Sequence, residues 1–381
     1  MNQDLFDLLE QTSLAEGPGA GLDLLIRELL EEKRYQQIFE VRLLRKRHAL
    51  GLPLIFSGSI ADLPPEKRDV YQVAVTEAAR EAGTSYLADG DIVRAWPYFR
   101  AIGDPAPVAS AIERVHSSEE AERVLAIALV DGVSLRKGFE LLVEHRGICQ
   151  GVDFVINCAD RANRVMYLQI LVRVFHGQLL AHLKEALTVV EGATPATSRV
   201  RELIAGRDWL FEGGRLYIEN SHLLSILQAS LELEDLDTMR LVLELAEYGQ
   251  RLDPIYQNPA PPPFEDPFID HAAYLRALLG ENVEEAVAHF RKKVAASVPG
   301  SAQVLVGLLA RLGRYKEAVQ ISLEHLGGEA DDDCPSAVQL CQLAGDYQQL
   351  REVARKKGDF LGFAAGILHG LPAELRHKVT S

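Results

Sequence analysis

The chain has 381 residues, long enough for two or three ordinary domains or for one extended repeat array. Hydrophobic residues make up 48% of it, which excludes global disorder, and a formal net charge of −15 makes a phosphate backbone a poor partner unless a basic stripe is segregated on one face. Four cysteines, Cys149, Cys158, Cys334 and Cys341, form no CxxC pair and no disulfide framework, so a reducing cytoplasm is the expected compartment.

The N-terminal stretch MNQDLFDLLEQ is acidic and amphipathic and lacks the basic and apolar regions of a secretory signal. Residues 3–15 and 21–50 read as helices, separated by Gly17-Pro18-Gly19-Ala20-Gly21. A helix rather than a strand precedes these glycines, so they are expected to link helices, not to cradle phosphate. The basic cluster Arg42, Arg45, Lys46, Arg47 and His48 falls in the last turns of its helix, where the helix dipole favours cations. Pro64-Pro65 opens a helix through Arg80. The run from Leu87 to Phe99 then places a Gly90-Asp91 turn before Ala95, a device that lets two antiparallel helices approach closely. Helices are expected at 117–131 and 134–146, the second stopping at Gly147.

The stretch from Arg161 to Val190 is the expected axis of the chain. On a helical wheel Val165, Leu168, Leu171, Val172, Phe175, Leu179, Leu183, Leu187 and Val190 fall in one broad arc, wider than a surface helix needs, which predicts burial on most sides. Beyond it come a loop at 193–197, a turn at 208–214, a short extended piece at 215–218 and a helix from Asn220 or Ser221 to about Leu233. A further helix is expected at 236–251. Asn258 to Phe264, with four prolines, reads as a stiff linker. Asp331-Asp332-Asp333 lacks the alternate spacing of a calcium loop and reads as solvated chain leading into a helix at Pro335. The uncharged run from Val294 to Ala310 is broken by Pro299-Gly300, which argues against a membrane span.

Near the C-terminus the glycine-turn device returns as Gly313-Arg314-Tyr315-Lys316-Glu317-Ala318 and, with Leu350 in place of the alanine, as Gly345 to Leu350. Gly280 precedes Gly313 by 33 residues and Gly345 follows it by 32. This spacing resembles the tetratricopeptide repeat, a helix–turn–helix unit of about 34 residues. The resemblance covers residues 268–357, with an echo at 85–116. Gly313, Tyr315 and Ala318 match the family's inter-helix turn and the small position of its second helix, and Ala95 with Phe99 match its small and aromatic positions. The first-helix tryptophan of the family is missing, so the units are degenerate. The resemblance implies an all-α, helical-hairpin (TPR-like) solenoid in which each pair buries a face against the next. Three regions are expected: N-terminal hairpins over 1–132, an irregular central region around the long buried helix over 133–267, and repeats over 268–381.

No HExxH, GxSxG, Walker A or strand-borne GxGxxG is present. What remains is a loose set of polar side chains in the middle third: Glu144, His145, Cys149, Asp160, His176, His182, Glu219, His222, Asp270 and His271. His176 and His182 both lie in the apolar arc of the long helix but about 120° apart, so a straight helix cannot aim both at one ion. His145 and Cys149 are spaced i,i+4, with Gly147 between them as a helix stop. Glu219 and His222 have the ExxH spacing of bundle metal sites, with the cap at Asn220-Ser221 leaving Glu219 outside the helix. Polar groups at positions that should be apolar must find partners. The simplest expectation for each histidine is a core ring bonded to a carbonyl or carboxylate.

Two functions are carried forward. The first is an interaction module or scaffold that binds a protein or peptide partner, basic or neutral in charge, on a concave face, with no nucleic acid and no membrane involved. The alternative is a helical enzyme with a middle-third pocket, in which His176, His222 and Glu219 do acid–base work or His145, His176 and His222 hold a divalent metal. It expects His176 and His222 to reach one shared polar cavity.

Overall fold

Glycine and proline cut the chain where helices are expected to end, and the computed structural model, which describes residues 3–55, 60–212, 220–257, 259–329 and 334–371, follows most of those cuts. Among the described residues the regular elements are all helical, with short 3-10 and π turns and no strand. The chain divides into two compact units, Met1–Gly151 and Val152–Ser381.

The first unit holds α1 (Gln3–Glu16), α2 (Pro18–Glu31), α3 (Tyr35–Ala49), α4 (Pro65–Ala88), α5 (Ile92–Ala101), α6 (Ala106–Ile112), α7 (Ser118–Leu125) and α8 (Leu135–Arg146), with α9 (Ile148–Ile156) running across the boundary. The single helix expected over 21–50 is two helices. The chain reverses at Lys33, which takes a φ of 53°, and Ile26 and Leu29 of α2 close on Tyr35, Ile38 and Val41 of α3. No glycine or proline marks that turn, so periodicity read straight through it. The expected linker shortens to Gly17, because Pro18 is a favourable first helical residue and α2 begins there. The helix opened by Pro65 runs on to Ala88, and the 117–131 helix gives way to a π turn over Ala126–Val130. In the α4–α5 hairpin Asp91 caps α5 by accepting from the Arg94 amide at 3.0 Å. Ala95 and Phe99 are fully buried, and Gly83 makes the close approach: a Cβ there would lie 2.7 Å from the Phe99 ring.

The second unit is built on α10 (Arg161–Glu191), which matches the expected axis almost residue for residue. Asp160 caps it, accepting from the Asn163 amide at 2.7 Å. Its first half is buried on several sides through Tyr167, Leu168, Ile170, Leu171, Val172, Phe175 and His176. Its second half is an ordinary surface helix whose buried stripe is Leu179, Leu183 and Leu187. Val190 and His182 are exposed, contrary to the expected arc, because the enclosing neighbours stop covering the helix after its midpoint. There follow α11 (Val200–Ile204), α12 (Asn220–Ala229) and α13 (Leu236–Gly249). The helix expected to reach Leu233 ends at Ala229 and finishes as a 3-10 turn. The strand expected at 215–218, Glu219 and the run Asp331–Asp333 lie outside the described residues.

Three hairpins come next: α14 (Pro267–Leu278) with α15 (Val283–Ala295), α16 (Ser301–Arg311) with α17 (Tyr315–His325), and α18 (Ala337–Ala344) with α19 (Tyr347–Lys357). The expected turn glycines, Gly280, Gly313 and Gly345, have φ values of 79°, 72° and 64°, a left-handed conformation that a side chain disfavours. The residues placed to face the first helix of each pair, Ala286, Ala318 and Leu350, are buried. Packing runs from neighbour to neighbour, α14 to α15 and so on to α20 (Phe360–Gly370), around one apolar cluster that includes Phe290, Leu305, Leu309, Val319, Leu340 and Val353. Arg311 reaches back from α16 to donate to the carbonyls of Leu231 and Leu233.

Candidate functional site

The densest buried chemistry lies along α13 and α14. Asp235 caps α13 on the Thr238 amide at 2.9 Å, and the helix then buries Met239, Val242, Leu243, Leu245, Ala246 and Tyr248. Glu244 and Glu247 are one turn apart on this helix, so both enter poorly hydrated surroundings in roughly the same direction. A carboxylate there requires donors. The Nε2–H of His176, on α10, donates to Glu244 at 2.8 Å, and the backbone N–H of Val200, opening α11, donates to the same oxygen at 3.0 Å. Glu247 accepts from Arg201 and from Arg276, each at 2.8 Å. Burial alone would push its carboxyl up, but the two guanidinium bonds outweigh burial and hold it below its ordinary range.

On α14, Asp270 is fully buried and accepts three bonds: from Nε2 of His289 at 2.7 Å, from Nζ of Lys293 at 2.8 Å, and from the Asp266 amide at 3.0 Å. Lys293 also donates to Glu265 and to the Pro263 carbonyl, both at 2.6 Å. Burial works against the ammonium charge, yet the Asp270 and Glu265 bonds prevail and raise its pKa; the same lysine bond holds the Glu265 carboxyl low. The next residue, His271, donates from Nδ1 to the Pro267 carbonyl at 2.7 Å and stacks on Phe264 with ring centroids 4.2 Å apart. Its Nε2 is buried without a hydrogen-bond partner, and burial pushes its pKa down to about 4, so the ring is neutral at pH 7. A cleft of about 70 Å³ lies beside the start of α14, lined by Gln257, Glu265, Asp266, Pro267 and Phe268 among others.

His176 is buried and held by Glu244. His222 is half-buried in the first turn of α12, and no hydrogen bond joins it to His176. Glu219 lies outside the described residues. His145 belongs to α8 in the first unit, half-buried, with Nε2 shielded from solvent and without a hydrogen-bond partner. Among the described residues no group of three or more His, Cys, Asp or Glu side chains is arranged to hold a metal ion. Sequence reasoning did not single out Glu244, Glu247, His289 or Lys293. The available signal was Glu247 within LELAEYG, a carboxylate among residues that the helix buries, which demands cationic partners from neighbouring helices.

Chemically, each of the three carboxylates Glu244, Glu247 and Asp270 is engaged by at least two donors from other segments, which ties α10 and α11 to α13, α13 to α14, and α14 to α15. No known protein-family model matches the chain, and no curated protein and no solved structure matches it. Among the described residues no helix is long and apolar enough to cross a membrane.

Proposed function

We propose that the chain is an interaction module or scaffold whose residues 268–381 form a degenerate, TPR-like helical-hairpin solenoid, and that it binds a protein or peptide partner on the concave face of the stacked hairpins. The observation that carries this reading is the threefold recurrence of one hairpin. Gly280, Gly313 and Gly345 turn the chain in the left-handed conformation, and Ala286, Ala318 and Leu350 sit buried behind them around a shared core. The polar groups inside the second unit support it further, because Glu244, Glu247 and Asp270 are occupied in joining helices.

The first helices of the outer hairpins also leave large apolar side chains in solvent, Ile269 on α14 and Leu343 on α18. Such residues serve as anchors for an extended or helical peptide. The test is selection of peptides from a random displayed library on the purified full chain, followed by titration calorimetry with the selected peptides. Ile269→Asp and Leu343→Asp should each weaken binding by about tenfold or more, the effect of removing one apolar anchor. Peptides that bind equally well to both variants would place recognition elsewhere and remove this reading.

A further inference from the structure

Helix α20, FLGFAAGILHG, contains no Asp, Glu, Lys or Arg, and it is turned inside out. Its buried residues are Gly362 and Gly366, one turn apart, pressed on α19 so closely that a Cβ at Gly366 would lie 2.7 Å from the Arg351 side chain and 3.2 Å from the Tyr347 carbonyl. The large side chains therefore point away: Phe360 and Leu361 are 86% and 84% exposed, and Ile367 and Leu368 are exposed as well. All four lie on the side of the helix opposite the two glycines, as one exposed apolar patch of the kind that marks contact surfaces. A cation, Arg355, borders the patch. Residues 347–370 hold four basic side chains against two acidic ones. Arg355 lies over the Phe363 ring at 4.9 Å, Lys357 is held by Glu329 and the Gly328 carbonyl, and Asp359 is occupied in capping α20.

The complementary surface is on the same chain. Helix α1, QDLFDLLEQTSLAE, has four acidic residues and no basic one. Its inner side, at Leu9 and Ser13, faces Gly21 of α2. Phe6 and Leu14 are 63% and 81% exposed, and with Asp7 and Glu10 they share one outward arc of about 100° on the wheel. A surface of apolar side chains interleaved with carboxylates thus stands ready for an apolar face bordered by Arg355.

We propose that α20 of one copy of this chain docks α1 of a second copy, so that copies associate head to tail. Apolar contact supplies the affinity, and the charges at its edge, Arg355 against the α1 carboxylates, set the register and suppress docking of α1 on α1, where like charges would meet. Such a contact uses two different patches and leaves one of each free on every dimer, so it extends into longer assemblies as concentration rises. It stands apart from peptide capture on α14 and α18, and either can fail without the other.

The test uses the full chain and two surface variants, Phe6→Asp and Leu361→Asp, with light scattering and analytical sedimentation over a wide concentration range. Both positions are exposed, so unchanged circular dichroism and unfolding midpoints serve as the folding control. Wild type should show a mass that climbs with concentration. Each variant alone should associate at least tenfold more weakly, the loss of one anchor. The decisive result is the equimolar mixture: Phe6→Asp retains an intact α20 and Leu361→Asp an intact α1, so the mixture should form a dimer and stop there. Three results would overturn the proposal: a wild type that stays monomeric, a mixture that does, or association lost in Leu361→Asp but kept in Phe6→Asp, which means α20 pairs with itself.

Discussion

Acid should weaken this fold through His271 in particular. The ring is 3% exposed, its Nδ1–H is bonded to the Pro267 carbonyl, and its buried Nε2 has no partner. Burial lowers its pKa from 6.5 to about 4. Between those values the unfolded chain binds a proton that the folded chain refuses, so stability falls as pH falls through the window. The steepest slope is about 1.4 kcal/mol per pH unit. Integration gives a loss of about 2 kcal/mol at pH 5 relative to pH 8, and about 3 kcal/mol once the window is crossed. Wild type and a variant at this one position share every other titratable group, so the informative quantity is a difference between proteins. His271→Phe keeps a ring against Phe264, removes the titration and removes the imidazole bond to the Pro267 carbonyl, a cost of about 1 kcal/mol at pH 8. Urea unfolding of wild type and variant from pH 8 down to pH 5 should show the variant gaining about 2 kcal/mol on wild type. Parallel curves would mean that the folded ring protonates as readily as the unfolded one, and the account of its burial would fail.

Two further substitutions test the packing around it. Asp270→Ala removes the acceptor shared by His289, Lys293 and the Asp266 amide; since Lys293 keeps Glu265 and the Pro263 carbonyl, the loss should fall near the lower end of that for a broken buried pair, about 3 kcal/mol, read from the unfolding midpoint. Ala318→Phe should overpack the contact between α17 and its neighbours and cost about 1–3 kcal/mol, and an unchanged midpoint would mean that the hairpin register is misplaced.

How far the sequence disclosed this arrangement depends on the kind of signal. Helix ends marked by glycine or by the start of a periodic run were legible: α10 begins at Arg161 and α8 stops at Gly147, as expected, while the Asp160 cap emerges only from the structure. The turn at Lys33 was not, because a reversal made by an ordinary residue carries no local mark and is imposed by the packing of Ile26 and Leu29 on Ile38. The wheel of α10 could not reveal that its enclosure ends halfway, since Val190 and His182 depend on which neighbours are present. Polar partners were the least legible. His176 was recognised as a ring headed for the interior, but Glu244 lies 68 residues away, and only the crossing of α10 with α13 brings the two within 2.8 Å.

The neighbour-to-neighbour packing of α14 through α20 bears on how the chain acquires its structure. Each hairpin can close once its own second helix exists, so little loop entropy stands between the extended chain and its first native contacts, and rapid formation is favoured. During synthesis the array can assemble pair by pair, each new pair adding to a finished surface. Attachments among the described residues also reach further back, such as α12 against α14 and the Arg311 guanidinium on Leu231 and Leu233, and those earlier segments are made before the arginine is. The order of assembly is therefore written in the direction of translation, with each new contact seeking a segment that already exists.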